Sequence, residues 1–238
     1  MSTQTFDKNK RIAKNTLLLY VRLIFTMAVG LFTSRVVLNT LGVEDYGTYN
    51  VVGGVVAMFS LFSSSLSAAI SRYLTYELGK GNVKKLNVVF TTSITIQVTL
   101  ALGVSLLAEI GGVWFLNSHM NIPYDRMNAA NWVLQFSILT FAINLLSTPY
   151  NAAIIAHEKM SAFAYISILE VVLKLLVAYA LYVSPIDKLK TYAFLLAMVA
   201  LIICIVYAFY CRRNFVECHY RFISVSYTHL TLPTKRIV

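Results

Sequence analysis

Residues 16–49 read TLLLYVRLIFTMAVGLFTSRVVLNTLGVEDYGTY, an apolar run with two internal arginines that leads into a short polar turn. Residues 16–38 are 23 positions long, and a helix of about 20 residues crosses a bilayer. A charge inside such a segment costs about 3 kcal/mol even on lenient insertion scales. Arg22 and Arg35 therefore need a physical reason within a first membrane span.

The composition of the 238-residue chain is that of an integral membrane protein. Hydrophobic residues make up 58% and charged residues only 13%, whereas about a quarter of a soluble domain is charged. The net charge of +10 raises the question of a nucleic-acid partner. However, the basic residues lie in short segments between apolar runs, which is the pattern of membrane topology. We expect membrane lipid as a partner and no nucleic acid.

Six apolar segments are long enough to cross a bilayer, and every connection between them is short. They are residues 16–38, 48–71, 86–108, 127–156, 161–184 and 191–211. With the N-terminus in the cytoplasm, the inner segments hold twelve lysines and arginines and the outer loops hold three. The sequence predicts an all-α integral membrane protein, a six-helix transmembrane bundle with a cytoplasmic N-terminus.

Two of the predicted spans carry a stripe of small or polar residues on one helix face, within arcs of about 80° and 100°. The second span contributes Gly53, Ala57, Ser60, Ser64, Ser67 and Ser71, and the fourth Ser137, Thr140, Asn144, Ser147, Thr148 and Asn151. Such stripes serve either close helix packing or the lining of a polar cavity. The cavity-lining candidates are Ser64, Ser67, Thr140, Asn144 and Asn151.

Charged residues within the spans are candidates for function. Glu170 and Lys174 are four residues apart on one helix face, so they either neutralise each other or form a site in which Lys174 faces an anion. Glu170 is also the mid-span carboxylate, and hence the candidate for ion coupling. Arg22 and Arg35 lie about 220° out of phase on a straight helix, so they share a pocket only if the helix bends at Gly30. Snorkelling to the two interfaces is the alternative.

Motifs of enzymes and ATP-driven pumps are absent from the sequence. It contains no GxxxxGK[ST], no GxSxG and no HExxH. The three cysteines, at 204, 211 and 218, have no metal-ligand spacing and are interpreted as free thiols. We expect no enzymatic activity, no cofactor and no metal.

Four motifs resemble the bacterial polysaccharide transporters, the O-antigen and capsule flippases of the multidrug/oligosaccharidyl-lipid/polysaccharide exporter superfamily. They are LGVEDYGTYNVVGG, SAAISRYLTYELGKGN, PYDRMNAANWV and STPYNAAIIAHEKM. The resemblance covers about residues 8–222 and implies the N-terminal lobe of a MATE-like two-lobed transporter in the bacterial inner membrane. It also implies that an undecaprenyl-pyrophosphate-linked oligosaccharide passes between the lobes by alternating access.

Cationic residues in the central cavity of such transporters are thought to hold the pyrophosphate. The matching substrate-binding candidates are Arg22, Arg35 and Lys174, with Arg72 at the cytoplasmic mouth. Arginine suits this task because its planar fork donates two hydrogen bonds to one phosphate. A multidrug cation antiporter of the same superfamily is the alternative function, and its cavity should favour carboxylates and aromatic residues over arginine.

The sequence departs from this family in its length, since members have about twelve to fourteen spans. Residues 1–222 would be the N-terminal lobe, and the C-terminal lobe of the same protein, its expected partner, is missing. Residues 225–234, VSYTHLTLPT, are what GTC TCT TAT ACA CAT CTG ACG CTG CCG ACG encodes, a run that resembles a transposon sequencing adaptor. We therefore expect residues 223–238 to be a non-native tail. The truncated chain alone would be a non-transporting fragment or scaffold.

Overall fold

The structure, a computed structural model, describes residues 2–58, 60–120, 122–184 and 187–218. Within these ranges it consists of α-helices followed by one short 3₁₀ turn, with no strand. The helices are α1 (Ser2–Ala57), α2 (Ser60–Gly79), α3 (Val83–His119), α4 (Tyr124–Ala156), α5 (Met160–Val183) and α6 (Lys188–Asn214), and the turn is Val216–Cys218. The predicted all-α class is confirmed. The proposed tail lies outside the described residues.

Helix starts in the loops are set by local side-chain caps. The Asn82 side chain accepts a hydrogen bond from the Lys85 amide at 3.1 Å, and the Asp187 side chain accepts one from the Leu189 amide at 3.1 Å. Each cap satisfies an amide that has no partner within its own helix. These caps fix where α3 and α6 begin.

Five of the described helices are long and apolar enough to cross a membrane, so the chain is a multi-pass membrane protein. The predicted second span, 48–71, is divided between two helices, because α1 ends at Ala57 and α2 begins at Ser60. Gly53 and Gly54 lower the helix propensity here, and the serines that follow favour caps and turns. The polar stripe predicted for that span therefore does not lie on one continuous helix.

Gly42 divides α1 into two helical parts. Its backbone has φ 82° and ψ 170°, a conformation open almost only to glycine. Gly30 has helical backbone angles, so α1 does not break between Arg22 and Arg35. The change of direction comes after both arginines, where the polar turn of the opening motif lies.

Helix α4 is the centre of the bundle and contacts all five other helices. Its buried residues include Val133, Leu134 and Ile154, each at most 1% exposed. Pro149 is buried within the helix, and the hydroxyls of Ser147 and Thr148 donate to the Asn144 carbonyl just before it, at 2.8 and 3.1 Å. These bonds lie in the turn just before Pro149, which has no N–H to donate to the Leu145 carbonyl.

Polar contacts connect the helices at each end of the bundle. At the predicted outer end, Arg126 contacts Asp45 at 3.2 Å and Asp187 at 3.5 Å, which links α1, α4 and the start of α6. At the predicted inner end, His157 pairs with the buried Glu217 and stacks on Phe215. These contacts hold α1, α4 and the start of α6 together at one end, and the end of α4 and the segment after α6 together at the other.

Candidate functional site

A cavity of about 270 Å³ lies between the second part of α1 and the middle segments of α4, α5 and α6. The polar and charged residues in its wall are Tyr49, Ser137, Thr140, Asn144, Glu170 and Lys174. The wall also contains small and apolar residues, among them Gly53, Ala57, Phe136 and Phe141. The cavity therefore lies within the predicted spans and combines one charged pair with hydroxyl, amide and aromatic groups.

Glu170 and Lys174 form the charged part of the cavity. Lys174 Nζ donates to Glu170 Oε1 at 2.6 Å, and the side chains of Lys174 and Glu170 are 44% and 36% exposed, respectively. The i, i+4 spacing on α5 places them side by side without help from another helix. Because the lysine ammonium has three donors and uses one on Glu170, it can also bind an anion in the cavity.

Neutral polar groups on α4 form the opposite wall. The Thr140 hydroxyl donates to the Phe136 carbonyl at 2.7 Å, so its oxygen is left as an acceptor for a ligand. Asn144 is exposed and offers both a donor and an acceptor. A Cβ added at Gly53 would lie 4.0 Å from Ser137 Oγ, which shows how closely α1 approaches α4. The two predicted polar stripes meet at this point.

Arg22 lies nearer the predicted cytoplasmic end, between α1 and α5. Its guanidinium carbon is 4.3 Å from the centroid of the Phe163 ring, and its Nε and Nη1 atoms are buried without a hydrogen-bond partner in the described part of the chain. Phe163 is seven residues before Glu170, which is about 10 Å along α5. Tyr207 is hydrogen-bonded to Ser167 and interacts electrostatically with both Arg22 and Glu170. Tyr207 is thus near both the arginine and the charged pair.

The remaining predicted site residues do not line this cavity. Arg35 and Arg72 are exposed on α1 and α2, and Ser64 and Ser67 lie on α2. Asn151 is half-buried on α4, with Oδ1 buried and without a partner among the described residues. The structure thus brings Thr140, Asn144, Glu170 and Lys174 together, and the functional roles assigned to all ten residues stay predictions.

The aromatic part of the site was not apparent from the sequence. Tyr49 packs edge-on against Tyr192 with ring centroids 4.8 Å apart, and Phe136 packs against Phe194 at 5.5 Å. Tyr207 was not apparent from the sequence either. Aromatic residues are frequent throughout the chain, and only the helix packing distinguishes those near the cavity from those facing lipid.

Comparison with known proteins gives a family match over most of the membrane region. The family model described as MatE matches residues 20–180, which include Arg22 and the Glu170–Lys174 pair. The chain belongs to the MatE family. MatE proteins are membrane transporters and not enzymes, so membership of this family supports a transport function for the chain.

The chain is also similar to one curated membrane protein of Bacillus subtilis. "Uncharacterized membrane protein EpsK" of Bacillus subtilis (strain 168) is 22% identical to the chain over 183 residues. These residues are 76% of the chain but 35% of that protein, so the chain spans about a third of the length of this relative. No solved structure matches the chain.

Proposed function

We propose that the full-length parent protein flips an undecaprenyl-pyrophosphate-linked oligosaccharide from the inner to the outer leaflet of the bacterial inner membrane. The chain described here would be its N-terminal lobe, and the C-terminal lobe of the same protein would complete the cavity. The observation that carries the proposal is the guanidinium of Arg22, which has two buried nitrogen atoms without a hydrogen-bond partner among the described residues and packs on Phe163, about 10 Å along α5 before Glu170.

Desolvation explains why this arrangement suits a diphosphate. Burying two guanidinium nitrogens without hydrogen-bond acceptors is unfavourable by about 1–3 kcal/mol or more, and the face of Phe163 returns only about 0.5–2 kcal/mol of that. A phosphate oxygen at Arg22 would accept the hydrogen bonds that Nε and Nη1 lack. Lys174 could then exchange its contact with Glu170 for a second phosphate.

Glu170 would take part in the release step. When Lys174 binds the headgroup, the carboxylate of Glu170 loses its counter-charge within a predicted span and favours uptake of a proton or a cation. Uptake of that ion by Glu170 and release of the headgroup by Lys174 would thus be linked, because Lys174 pairs either with the Glu170 carboxylate or with the headgroup phosphate. The direction of the ion gradient would set the direction of transport.

The first prediction concerns these two cations. Arg22→Ala and Lys174→Ala in the full-length parent should each lower surface polysaccharide by about tenfold or more, since a charge-assisted phosphate contact contributes about 1.5–3 kcal/mol. Surface glycan is measured by immunoblotting at equal membrane levels of each variant. Lys80→Ala, a fully exposed cation on the inner side, is the control and should keep wild-type export.

The variant Arg35→Ala refines the same test. Arg35 is exposed on α1 and does not line the cavity, so we expect a smaller decrease in export than for Arg22→Ala. Wild-type export in both Arg22→Ala and Lys174→Ala would contradict the proposal. If export decreases only in Arg35→Ala, the headgroup binds near Arg35 and not at Arg22 and Lys174.

A multidrug cation antiporter is a second candidate, and one observation favours it. The cavity wall contains Tyr49, Phe136, Phe141 and the carboxylate of Glu170, groups that bind lipophilic cations. In that case Glu170→Gln should make cells sensitive to such drugs while surface polysaccharide stays unchanged. Unchanged drug sensitivity together with reduced surface polysaccharide in Glu170→Gln would favour the flippase.

A further inference from the structure

We propose that the outer end of the α3–α4 hairpin carries a binding subsite for the sugar part of the substrate. The subsite consists of Asn128, Asn131, Trp132 and Gln135 on α4, with Glu109 on α3. It rests on the proposed function, because it assumes a glycan cargo, and it adds where the sugar makes contact after it leaves the cavity.

Helices α3 and α4, of 37 and 33 residues, are both longer than a bilayer crossing needs, so their outer ends, including the first part of the predicted fourth span, can project beyond the hydrocarbon. Helix α3 has 37 residues and is about 55 Å long, whereas the hydrocarbon core is about 30 Å thick. Its uncharged stretch, residues 86–108, covers about 34 Å, and Glu109 follows it. Gln135 Nε2 donates to Glu109 Oε1 at 2.6 Å, so this pair marks the same level on both helices. The α4 residues before Gln135 lie above it, on the outer side.

A shallow depression of about 500 Å³ lies on this part of α4. It is lined by Met127, Asn128, Asn131, Trp132 and Gln135. The three amides and the indole fall within an arc of about 100° of the helix, so they face the depression together. A depression of this volume accommodates a saccharide unit and is too small for a large protein surface.

The chemistry of these groups is that of sugar recognition. Amide and carboxylate groups supply the paired donors and acceptors that sugar hydroxyls require. The flat, half-exposed indole of Trp132 offers an apolar face for the C–H side of a pyranose ring.

Neighbouring contacts hold the groups in place before a ligand binds. Glu109 fixes the Gln135 amide, and Asn131 Nδ2 donates to the Met127 carbonyl at 3.0 Å, which leaves the Asn131 side-chain oxygen as an acceptor. The Trp132 ring stacks on Phe136 with centroids 5.6 Å apart and an angle of 25°. Less side-chain entropy is then lost on binding than at mobile side chains.

Phe136 connects the subsite to the cavity. It stacks on Trp132 and also lines the cavity that contains Glu170 and Lys174. Thr140, one turn further along α4, belongs to the same cavity wall. A glycan that leaves the cavity outward would therefore reach Trp132 along a continuous surface of α4.

The test uses the full-length parent in detergent and a probe without lipid or pyrophosphate. The probe is the oligosaccharide mixture that mild acid releases from the cell's own surface polysaccharide, and binding is measured by isothermal titration calorimetry. Trp132→Ala and Asn128→Ala should each weaken binding at least tenfold. Trp132→Phe should restore most of it, because it keeps an aromatic face. Trp114→Ala, an exposed indole on α3 outside the depression, is the control and should bind like wild type.

The failure of this inference differs from the failure of the proposed function. No binding of the probe to the wild type, or equal binding by Trp132→Ala and Asn128→Ala, would overturn the subsite while export by the wild type continues. Lys80→Ala, which removes a fully exposed cation on the inner side, should bind the lipid-free probe like wild type. Undiminished export in Arg22→Ala and Lys174→Ala would reject the proposed function whatever the probe does.

Discussion

At the level of single residues, Arg22 and Lys174 differ in how their charges are compensated. Lys174 has a carboxylate partner at 2.6 Å on its own helix, whereas Arg22 has an aromatic ring and two buried nitrogen atoms without hydrogen-bond partners in the described residues. A bound anion would therefore stabilise Arg22 more than Lys174. This difference makes Arg22 the stronger candidate for the headgroup contact and Lys174 the candidate for exchange between two anions.

Cys218, which follows the last predicted span, gives a residue-level prediction together with Cys211 at the end of that span. Both are free and at most 1% exposed, and the hydrogen bond with Cys211 together with burial raises the pKa of the Cys218 thiol well above its usual range. A raised pKa leaves less thiolate at a given pH, and the thiolate is the reactive form. At neutral pH, maleimide should therefore label Cys218 at least tenfold more slowly than Val216→Cys, an exposed position in the same turn.

The control for this prediction is the unfolded chain. Denaturant should make Cys218 react as fast as the introduced cysteine. In the folded protein, labelling of Cys218 should accelerate only at a higher pH than labelling of Val216→Cys does. Fast labelling of Cys218 in the folded protein at neutral pH would contradict the packing of this turn against α3 and α6.

At the level of helices, Gly42 decides the path of α1. Its positive φ allows the chain to turn between the first membrane segment and the part of α1 that lines the cavity with Tyr49 and Gly53. The bridge from Arg126 to Asp45 holds the segment that follows the turn against α4. The position of the cavity wall on α1 thus depends on one glycine and one ion pair.

Substitution of Gly42 gives the prediction for this helix. Gly42→Ala should lower stability by about 1–3 kcal/mol, because a Cβ strains a backbone with φ 82° even though no atom lies within 4 Å of it. The apparent Tm of the purified protein in detergent should fall by about 2–4 °C for each kcal/mol.

Gly47 is the matched control, since it lies in the helical part of α1 with open space around its Cβ position. Gly47→Ala should leave Tm unchanged or raise it, because alanine favours the helix. An equal Tm for Gly42→Ala and wild type would show that α1 does not turn at this residue.

At the level of the whole molecule, the two ends of the bundle differ in their polar contacts. Arg126, Asp45 and Asp187 meet at one end, and His157 and Glu217 meet at the other. The excess of lysine and arginine in the segments on the His157 side predicts that this end faces the cytoplasm.

Reporter fusions test this orientation. Alkaline phosphatase, which folds only outside the cytoplasm, should be active when fused after residue 120 and inactive when fused after residues 81 or 158. Fusions of a fluorescent protein that folds only in the cytoplasm should give the opposite result at the same positions. Phosphatase activity after residue 81 would place the N-terminus outside and would reverse the proposed inner and outer ends of the cavity.

The sequence by itself determined the membrane class, the helical content and the Glu170–Lys174 pair. Hydropathy and i, i+4 spacing depend on neighbours along the chain, so they can be evaluated before the fold is known. The first and last residues of the helices were harder to predict from the sequence. Helix α3 continues to His119, beyond the predicted span that ends at residue 108, because a helix need not stop where the apolar segment does.

Only the tertiary structure decided which polar residues share a cavity. Thr140 and Asn144 line it together with Lys174, whereas Ser64 and Arg35 do not, although all were equally plausible from helical periodicity. The pairing of Arg126 with Asp45, and of His157 with Glu217, also joins residues far apart in sequence. These contacts depend on how α4 packs against its five neighbours, and periodicity within one helix carries no information about the helix it will face.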